Sequence, residues 1–325
     1  MSKKAVVELL ERIGVLAISR YIHRRSPLVL MYHRILKHDL VPGTHPETFS
    51  KQMDYIKKNF NVLNMSQLMS SLQNGNVPER ALVLTFDDGH YDFYVNAWPI
   101  IKNHGLTATL FVTTQFIDEK TWLWPDILKY ILMQAQPGQF SVEDVGILNL
   151  DAGSLLSIWN RLADICLTKS AEDRQVFIGN IADKLNVVVP QSPQLPFAPT
   201  TWSQLAEMVS EGLDIGSHSL SHPILSKVTP QQLTNELVGS KERIQEMLNI
   251  KVTGICYPNG MPADISTTVQ SEASKLYDYG VVAYPKKFNS KDLMRIGRIG
   301  ATNDTANFRI KTSHLSRAEN VGEYR

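Results

Sequence analysis

Residues 81–89 read Ala-Leu-Val-Leu-Thr-Phe-Asp-Asp-Gly, and this stretch guides the interpretation of the rest of the chain. Its first part is an apolar, β-branched run, which is typical of a strand buried on both faces. The run ends on two adjacent carboxylates, Asp87 and Asp88, followed by Gly89. Neighbouring side chains of a strand point to opposite faces, so one carboxylate can hold a metal ion while the other holds or moves a proton. Taken alone, the stretch is better explained as a strand followed by an Asp-Gly turn, which is common in α/β proteins.

The composition is that of an ordinary globular protein. A chain of 325 residues suffices for one large α/β domain or two small ones, and 43% of the residues are hydrophobic. The formal net charge of +1 and the lack of a long basic run predict no nucleic-acid partner. The two cysteines, Cys166 and Cys256, exclude a disulfide scaffold and a cysteine-ligated zinc site, and they are compatible with a reducing cytoplasm.

Strand and helix patterns alternate along most of the chain. A buried-type strand at residues 28–33 ends on His33, a helix pattern covers residues 91–104, and another strand follows at residues 108–112. This alternation predicts βαβ units and a parallel sheet. It breaks at about residues 120–200, where helical patterns appear without a convincing strand. We interpret this stretch as a helical insertion near the substrate face; the alternative is a separate helical lobe without a ligand role.

The first stretch, residues 3–22, has apolar residues at helical spacing, flanked by basic residues. None of its apolar runs is long enough for a signal peptide or a membrane span. A helix of this kind either packs on its own domain, which we favour, or makes peripheral contact with an anionic membrane surface.

His218 and His222 are four residues apart, just after a predicted strand at residues 213–215. A compact loop or one helical turn can aim both imidazoles at one point. Two histidines and one carboxylate form an open metal site that leaves positions for water and substrate. The Asp-Asp strand supplies the carboxylate, because the strand ends of a parallel barrel meet at one face.

The motif Thr-Phe-Asp-Asp-Gly at residues 85–89, together with Gly-Ser-His-Ser-Leu-Ser-His at residues 216–222, resembles the polysaccharide deacetylase family, also called the NodB-homology or carbohydrate esterase family 4 domain. Tyr-His-Arg-Ile at residues 32–35 and Tyr-Pro-Asn-Gly at residues 257–260 are similar to elements of its bacterial members. The resemblance implies an α/β fold, a distorted (β/α) barrel. On this basis we expect an N-terminal helix at residues 1–26 and a deacetylase domain at residues 27–325, with the helical insertion at about 120–200.

The resemblance also implies roles for the site residues. The first aspartate of the pair, Asp87, would be the catalytic base. Asp88, His218 and His222 would bind a divalent metal, expected to be Zn²⁺. A metal lowers the pKa of bound water, and a nearby carboxylate can accept the proton, which agrees with this division of roles.

The third motif of the family usually reads Arg-x-Pro-Tyr, whereas residues 256–259 here read Cys-Tyr-Pro-Asn. The arginine that would steady the catalytic aspartate is therefore missing. Arg295 or Arg298, near the next predicted strand end, could replace it, and we place Arg298 in the oxyanion and substrate site. The main-chain amide of Asn259 can still serve as an oxyanion donor, because an N–H group does not depend on the side chain.

The late Leu-x-His motif of the family, the source of its general acid, has no clear match. His314 lies in a polar tail and is expected to be a bystander. His33 ends a strand and is the better candidate for the acid; otherwise it hydrogen-bonds a ligand loop.

The resemblance implies a metal-dependent hydrolase that removes N-acetyl groups from an N-acetylhexosamine-containing saccharide or glycan precursor. Alternatives are hydrolysis of another non-peptide amide and a catalytically impaired carbohydrate-binding relative. We expect the protein in the cytoplasm or at the inner face of the membrane, since the sequence shows no export signal.

Overall fold

The computed structural model describes residues 3–38, 41–151 and 153–315 of the chain. Eleven strands lie in this described part: β1 Leu28–Tyr32, β2 Asn61–Leu63, β3 Ala81–Phe86, β4 Thr109–Val112, β5 Gly138–Val142, β6 Gly146–Leu150, β7 Asp214–Ser217, β8 Gly254–Cys256, β9 Tyr279–Val282, β10 Ile296–Gly297 and β11 Ile299–Gly300.

The α-helices of the same residues are α1 Lys3–Arg12, α2 Val15–Ile22, α3 Pro46–Asn59, α4 Met65–Gln73, α5 Trp98–Asn103, α6 Thr114–Ile117, α7 Trp124–Gln134, α8 Leu155–Thr168, α9 Ala171–Lys184, α10 Trp202–Ser210, α11 Pro230–Leu248, α12 Thr267–Ser274 and α13 Thr305–Thr312. A π-helical turn, Phe93–Ala97, precedes α5. Among the described residues, no helix combines the length and apolar character needed to cross a bilayer.

The main sheet is a nearly closed barrel of parallel strands. Its order is β10-β9-β8-β7-β4-β3-β1-β11, and β2 adds to β3 outside this path. β10 and β11 are separated by Arg298 alone; β10 pairs with β9 and β11 pairs with β1. One short segment thus joins both edges of the sheet. The predicted distorted (β/α) barrel is confirmed.

The alternation of side chains along β3 explains how it positions the Asp-Asp pair. All six residues of β3 are buried. Leu82, Leu84 and Phe86 belong to the large cluster that includes the surrounding helices, whereas Val83 packs with residues of α4 and of the other strands. Both faces are therefore covered, as the apolar run predicted.

The predicted insertion contains a β-hairpin that the sequence interpretation missed. β5 and β6 pair antiparallel between α7 and α8, so the expectation of no strand in this stretch is wrong. The hairpin is half exposed, which weakens its apolar signal. Asp144 and Gly146, both with positive φ, are the turn signals that could have revealed it. With α8 and α9, the hairpin helps to enclose a separate hydrophobic cluster.

The N-terminal segment forms two helices, α1 and α2, where one was expected. Gly14 separates them with φ of 79° in the left-handed region, which ends α1 and redirects the chain. Val7 and Leu16 are buried against Ala306 of α13. The expectation that this segment packs on its own domain is confirmed for this side of the helix pair.

Candidate active site

A cleft of about 610 Å³ opens at the carboxyl ends of the barrel strands. Loops that follow strands carry its polar residues, as expected for a parallel barrel. All residues that the sequence placed in the site line this cleft: His33, Asp87, Asp88, His218, His222, Asn259 and Arg298.

Asp88 lies at the centre of a compact group of metal-ligand types. Its Oδ1 is 3.4 Å from Nε2 of His218 and 3.6 Å from Nε2 of His222. The donor atoms of the three residues all lie within 4.8 Å of one another. Asp88 has φ of 75°, so it has left the extended conformation of β3, and the strand's alternation no longer sets its direction. Both carboxylates of the pair can therefore line one cleft.

Main-chain contacts fix the orientation of His218. Its Nδ1 donates a hydrogen bond of 2.8 Å to the carbonyl oxygen of Cys256, which follows from the fact that a carbonyl can only accept. In the neutral ring this leaves the lone pair on Nε2, the nitrogen that faces Asp88. Burial lowers the pKa of His222 to about 4, with a further contribution from His218, so its imidazole is neutral near pH 7. The pKa of His218, in contrast, lies well above its usual value, because its contacts with Cys256 and Asp88 outweigh its burial, so a metal ion would have to displace a proton from this ring.

Glu236 of α11 holds the loop between the two histidines, and the sequence interpretation missed it. Its carboxylate accepts hydrogen bonds of 2.9 Å from the amides of Leu220 and Ser221 and one of 2.5 Å from the Ser221 hydroxyl. Glu236 is itself buried. The loop needs this support because Ser219 and His222 both have positive φ, a costly conformation for these residue types.

Asp87 forms a bidentate ion pair with Arg298. Nη1 and Nη2 of the arginine lie 2.7 and 2.8 Å from the two carboxylate oxygens, and both side chains are buried. Burial alone would raise the pKa of Asp87, but the Arg298 guanidinium outweighs it and holds the pKa below its usual range. The base candidate therefore stays ionised.

Of the two arginines considered as replacements for the motif arginine, Arg298 is the one that contacts Asp87. Its Nε donates to the carbonyl of Val282, and Nη2 also approaches Sγ of Cys256 at 3.2 Å. The Arg298 guanidinium therefore contacts protein groups. It orients the base candidate Asp87, and this differs from the oxyanion and substrate role that we expected for it. Arg295 instead pairs with Asp292.

A second group of ligand types, Asp87, His218 and Cys256, also comes together. It suits a metal less well, because Arg298 already neutralises the carboxylate and burial raises the pKa of the Cys256 thiol. A protonated thiol is a poor ligand.

The two histidines considered as general acids, His33 and His314, lie in different parts of the structure. His33 is half exposed, and its Nε2 lies 3.6 Å from Oδ2 of Asp87. His314 is not in an open tail, contrary to our expectation. It is buried just after α13 and stacks on His23, with 4.9 Å between ring centroids. His23 precedes β1, so this contact lies at the opposite end of the barrel from the cleft.

Asn259 lines the cleft. Its φ of 60° is left-handed, and its side-chain amide donates 2.5 Å to Oδ2 of Asp264. Among the described residues, its main-chain N–H has no hydrogen-bond acceptor. This leaves the N–H free to serve an incoming oxygen.

His90 and Asp126 form a buried pair that the sequence interpretation did not find. Nε2 of His90 lies 2.7 Å from Oδ2 of Asp126, and Nδ1 lies 3.7 Å from Oδ2 of Asp88. Asp126 belongs to α7 in the insertion. Only the position of His90 directly after the Asp-Asp-Gly motif could have indicated it. The pair links the insertion to the carboxylate at the centre of the site.

The insertion also supplies aromatic side chains to the cleft. Trp124 and Trp159 line it, together with Lys129. Trp122, by contrast, is buried and packs with Leu36, Val41 and Phe197.

A family model described as polysaccharide deacetylase matches residues 74–140 and 147–279. A putative polysaccharide deacetylase of Bacillus subtilis, YxkH, is 22% identical over 259 residues, which cover 79% of this chain and 64% of the relative. A poly-β-1,6-N-acetyl-D-glucosamine N-deacetylase of Staphylococcus epidermidis is 27% identical over 110 residues, covering 29% of this chain and 38% of the relative. The matched regions thus span 38% to 64% of the length of these two relatives.

Solved structures share the fold. The deacetylase PplD of Streptococcus pyogenes, in complex with acetate, matches with a TM-score of 0.60 and 20% identity, over 89% of this chain and 98% of that one. IcaB of Ammonifex degensii matches with a TM-score of 0.58 and 16% identity, over 89% and 97% of the two chains. Since the family model matches more than half of the chain and includes both predicted motifs, this chain belongs to the polysaccharide deacetylase family.

Proposed function

We propose that this protein is a metal-dependent N-deacetylase that removes acetyl groups from an N-acetylhexosamine-containing saccharide or glycan precursor. The observation that carries the proposal is the convergence of Asp88, His218 and His222 beside the Asp87–Arg298 pair in one cleft. Family membership supports the same reaction class. The names of the relatives support a carbohydrate bearing N-acetylglucosamine as substrate.

The donor set fits a divalent ion. One carboxylate and two imidazoles are typical ligands of zinc in sites that keep positions for water and substrate. We therefore assign Asp88, His218 and His222 as the ligands, with zinc as the expected ion. A divalent ion in such a site lowers the pKa of water and polarises an acyl carbonyl.

The other residues of the cleft would carry out the proton transfers and stabilise the negative charge that forms during hydrolysis. Asp87 would take a proton from the attacking water, and Arg298 keeps its carboxylate ionised and oriented. The Asn259 amide would donate a hydrogen bond to the oxygen that becomes negatively charged. His33 would return a proton to the departing amine, so that water and amide become acetate and free amine.

Arg298 favours an active enzyme over an impaired carbohydrate-binding relative. The absence of the motif arginine was the argument for impairment. An arginine from another part of the chain makes a bidentate contact with the same aspartate, which removes that argument.

Release of acetate from N-acetylated oligosaccharides tests the proposal. The chain loaded with zinc should release acetate, and the chelated chain should regain activity on metal addition. His222→Ala should lose most bound metal and nearly all activity, because one of three ligands is missing. His104→Ala, whose ring contacts Asp54 away from the cleft, is the control and should behave like the wild type. Turnover of other amides without any acetate release would support the alternative hydrolase.

The domain and location assignments stay predictions. We propose one catalytic domain over residues 27–325, of which residues 316–325 lie outside the described part. A cytoplasmic location is compatible with the two buried free cysteines, Cys166 and Cys256.

A further inference from the structure

The helices α1 and α2 leave a large apolar surface uncovered. Six of the fourteen exposed large hydrophobic side chains of the described residues lie within residues 6–22, five of them in α1 or α2 and Ile13 in the turn between the helices, with exposed fractions from 39% to 67%. We call them the exposed helix-pair face: Val6, Leu9, Ile13, Ile18, Tyr21 and Ile22. Val6 and Leu9 are three residues apart in α1, and Tyr21 and Ile22 follow Ile18 by three and four residues in α2, so the members in each helix share one side of it.

The other side of the pair is fastened to the barrel. Val7 and Leu16 are buried against α13, and Glu11 pairs with Arg309 of that helix. The Ser19 hydroxyl donates 2.6 Å to the carbonyl of Ser313. The pair therefore has its own fixed place on the barrel wall. The exposed apolar residues are not needed for that packing and face away from it.

The charge of this segment differs from that of the rest of the chain. Residues 1–25 contain six Lys and Arg and two Glu, a formal charge of +4, whereas the other 300 residues contain 27 Lys and Arg and 30 Asp and Glu. Arg12 and Arg25 are exposed, and the described residues include no ion pair for either. Of the described side chains in residues 5–25, only Glu8 is an exposed acid.

We propose that the exposed helix-pair face docks this protein on a membrane surface containing anionic phospholipid. Apolar side chains bordered by arginines are the pattern of interfacial helices, which insert their apolar face at the boundary of head groups and acyl chains. Anionic head groups attract the arginines. A second copy of the chain fits less well, because a symmetric contact would bring two positively charged segments together.

Docking through α1 would bring the cleft-side end of α13 near the bilayer, whereas the end of α2 next to His23 lies at the other end of the barrel. Asn303 lines the cleft, and the next residue, Asp304, is the N-cap of α13, against which α1 packs. An N-acetylated saccharide carried on a lipid would then present its sugar to the cleft. This consequence rests on the proposed function, whereas the docking itself does not.

Vesicle flotation of the full chain tests the docking without any turnover. The protein should float with phosphatidylcholine vesicles that contain phosphatidylglycerol, and weakly or not at all with pure phosphatidylcholine. The triple variant Ile13→Glu, Ile18→Glu, Ile22→Glu should weaken binding by at least about a hundredfold, since it removes three exposed aliphatic side chains that docking would bury in the membrane. Arg12→Gln and Arg25→Gln should each weaken it about fivefold at low salt.

A matched triple variant controls for added charge and lost hydrophobicity. Ile147→Glu, Leu156→Glu and Val176→Glu change equally exposed residues of the insertion and should leave flotation unchanged. Unfolding curves of both triple variants should match the wild type, because all six side chains are exposed. The proposal is overturned if the helix-pair variant floats like the wild type. It is also overturned if the chain fails to float and is instead a dimer that this variant dissociates.

Discussion

Asp87 and Asp88 are adjacent in sequence, yet their carboxylates face different partners. Asp87 is paired with Arg298, and Asp88 faces His218 and His222. One geometry suits an ionised base and the other suits a metal ligand. This separation of partners is the physical basis for assigning different roles to two chemically identical side chains.

We expect Asp87→Asn to retain bound metal and to lower turnover by about a hundredfold to ten-thousandfold, the usual contribution of a general base. Asp88→Asn should instead lose most of the metal. Metal content and acetate release, measured on the same preparations, distinguish the two effects. If Asp87→Asn lost the metal and Asp88→Asn kept it, the two roles would be reversed.

Arg298→Met should raise the pKa of Asp87, because the buried carboxylate loses the guanidinium that opposes desolvation. A base must be ionised to act, so the acidic limb of the pH–rate profile should move to higher pH. Removing one partner of a buried ion pair should also cost roughly 3–5 kcal/mol of unfolding free energy. The profile and a denaturant curve measure both effects.

Arg295→Met is the matched control, since this arginine pairs with Asp292 and is partly exposed. It should leave the acidic limb in place and change stability little. An unmoved limb in Arg298→Met, in a variant that still folds, would contradict the assignment of Asp87 as the base.

At the scale of secondary-structure elements, the insertion contributes side chains to the cleft. Its helix α7 supplies Asp126, which reaches His90 beside the Asp-Asp motif. The same helix begins with Trp124, which lines the cleft. These contacts support the expectation that the insertion lies at the substrate face.

Trp124 and Trp122 are two residues apart in sequence, and we expect Trp124 to contact substrate and Trp122 to stabilise the fold. Trp124→Ala should raise KM for a saccharide several-fold, because an aromatic ring at the cleft can stack on a sugar face. Trp122→Ala should lower the unfolding free energy by roughly 3–5 kcal/mol and affect KM less, because this ring is buried. Kinetics and thermal unfolding of both variants give the comparison. Unchanged KM in Trp124→Ala with lowered stability would assign both rings to packing.

At the scale of the whole molecule, His33 and His314 lie at opposite ends of the barrel. His33 follows β1 at the carboxyl end, whereas His314 stacks on His23 before the same strand begins. A proton donor for the leaving amine must lie at the end that carries Asp87 and the ligand group.

We therefore expect His33→Ala to reduce kcat by about a hundredfold to ten-thousandfold with metal retained, the usual contribution of a general acid. The alkaline limb of its pH–rate profile should also disappear, since that limb reports loss of the acid's proton. His314→Ala should change kcat little. An inactive His314→Ala beside a near-normal His33→Ala would require a different arrangement of the chain's last described residues around the cleft.

The sequence by itself determined the parallel βαβ arrangement and the members of the central group, and its resemblance to the family implied the barrel. Buried strands appear as apolar runs, Asp87 and His218 directly follow β3 and β7, and Asp88 and His222 lie in the same two loops. Because parallel strands end at a common face, local order along the chain was enough to bring these residues together. The break at about residue 120 also marked the insertion, although its hairpin was too exposed to give a clear pattern.

Tertiary structure decided which groups complete the site: the sequence offered both Arg295 and Arg298 as partners of the base, and only the fold selects Arg298. Arg298 is 211 positions from Asp87, and it arrives there because the segment from β10 to β11 closes the barrel against β1. Glu236 reaches the histidine loop from α11, and Asp126 reaches His90 from the insertion. Such contacts depend on strand register and helix packing over long separations, which leave no local pattern in the sequence. For the same reason, only the fold shows that one side of the N-terminal helices is buried and the other is exposed.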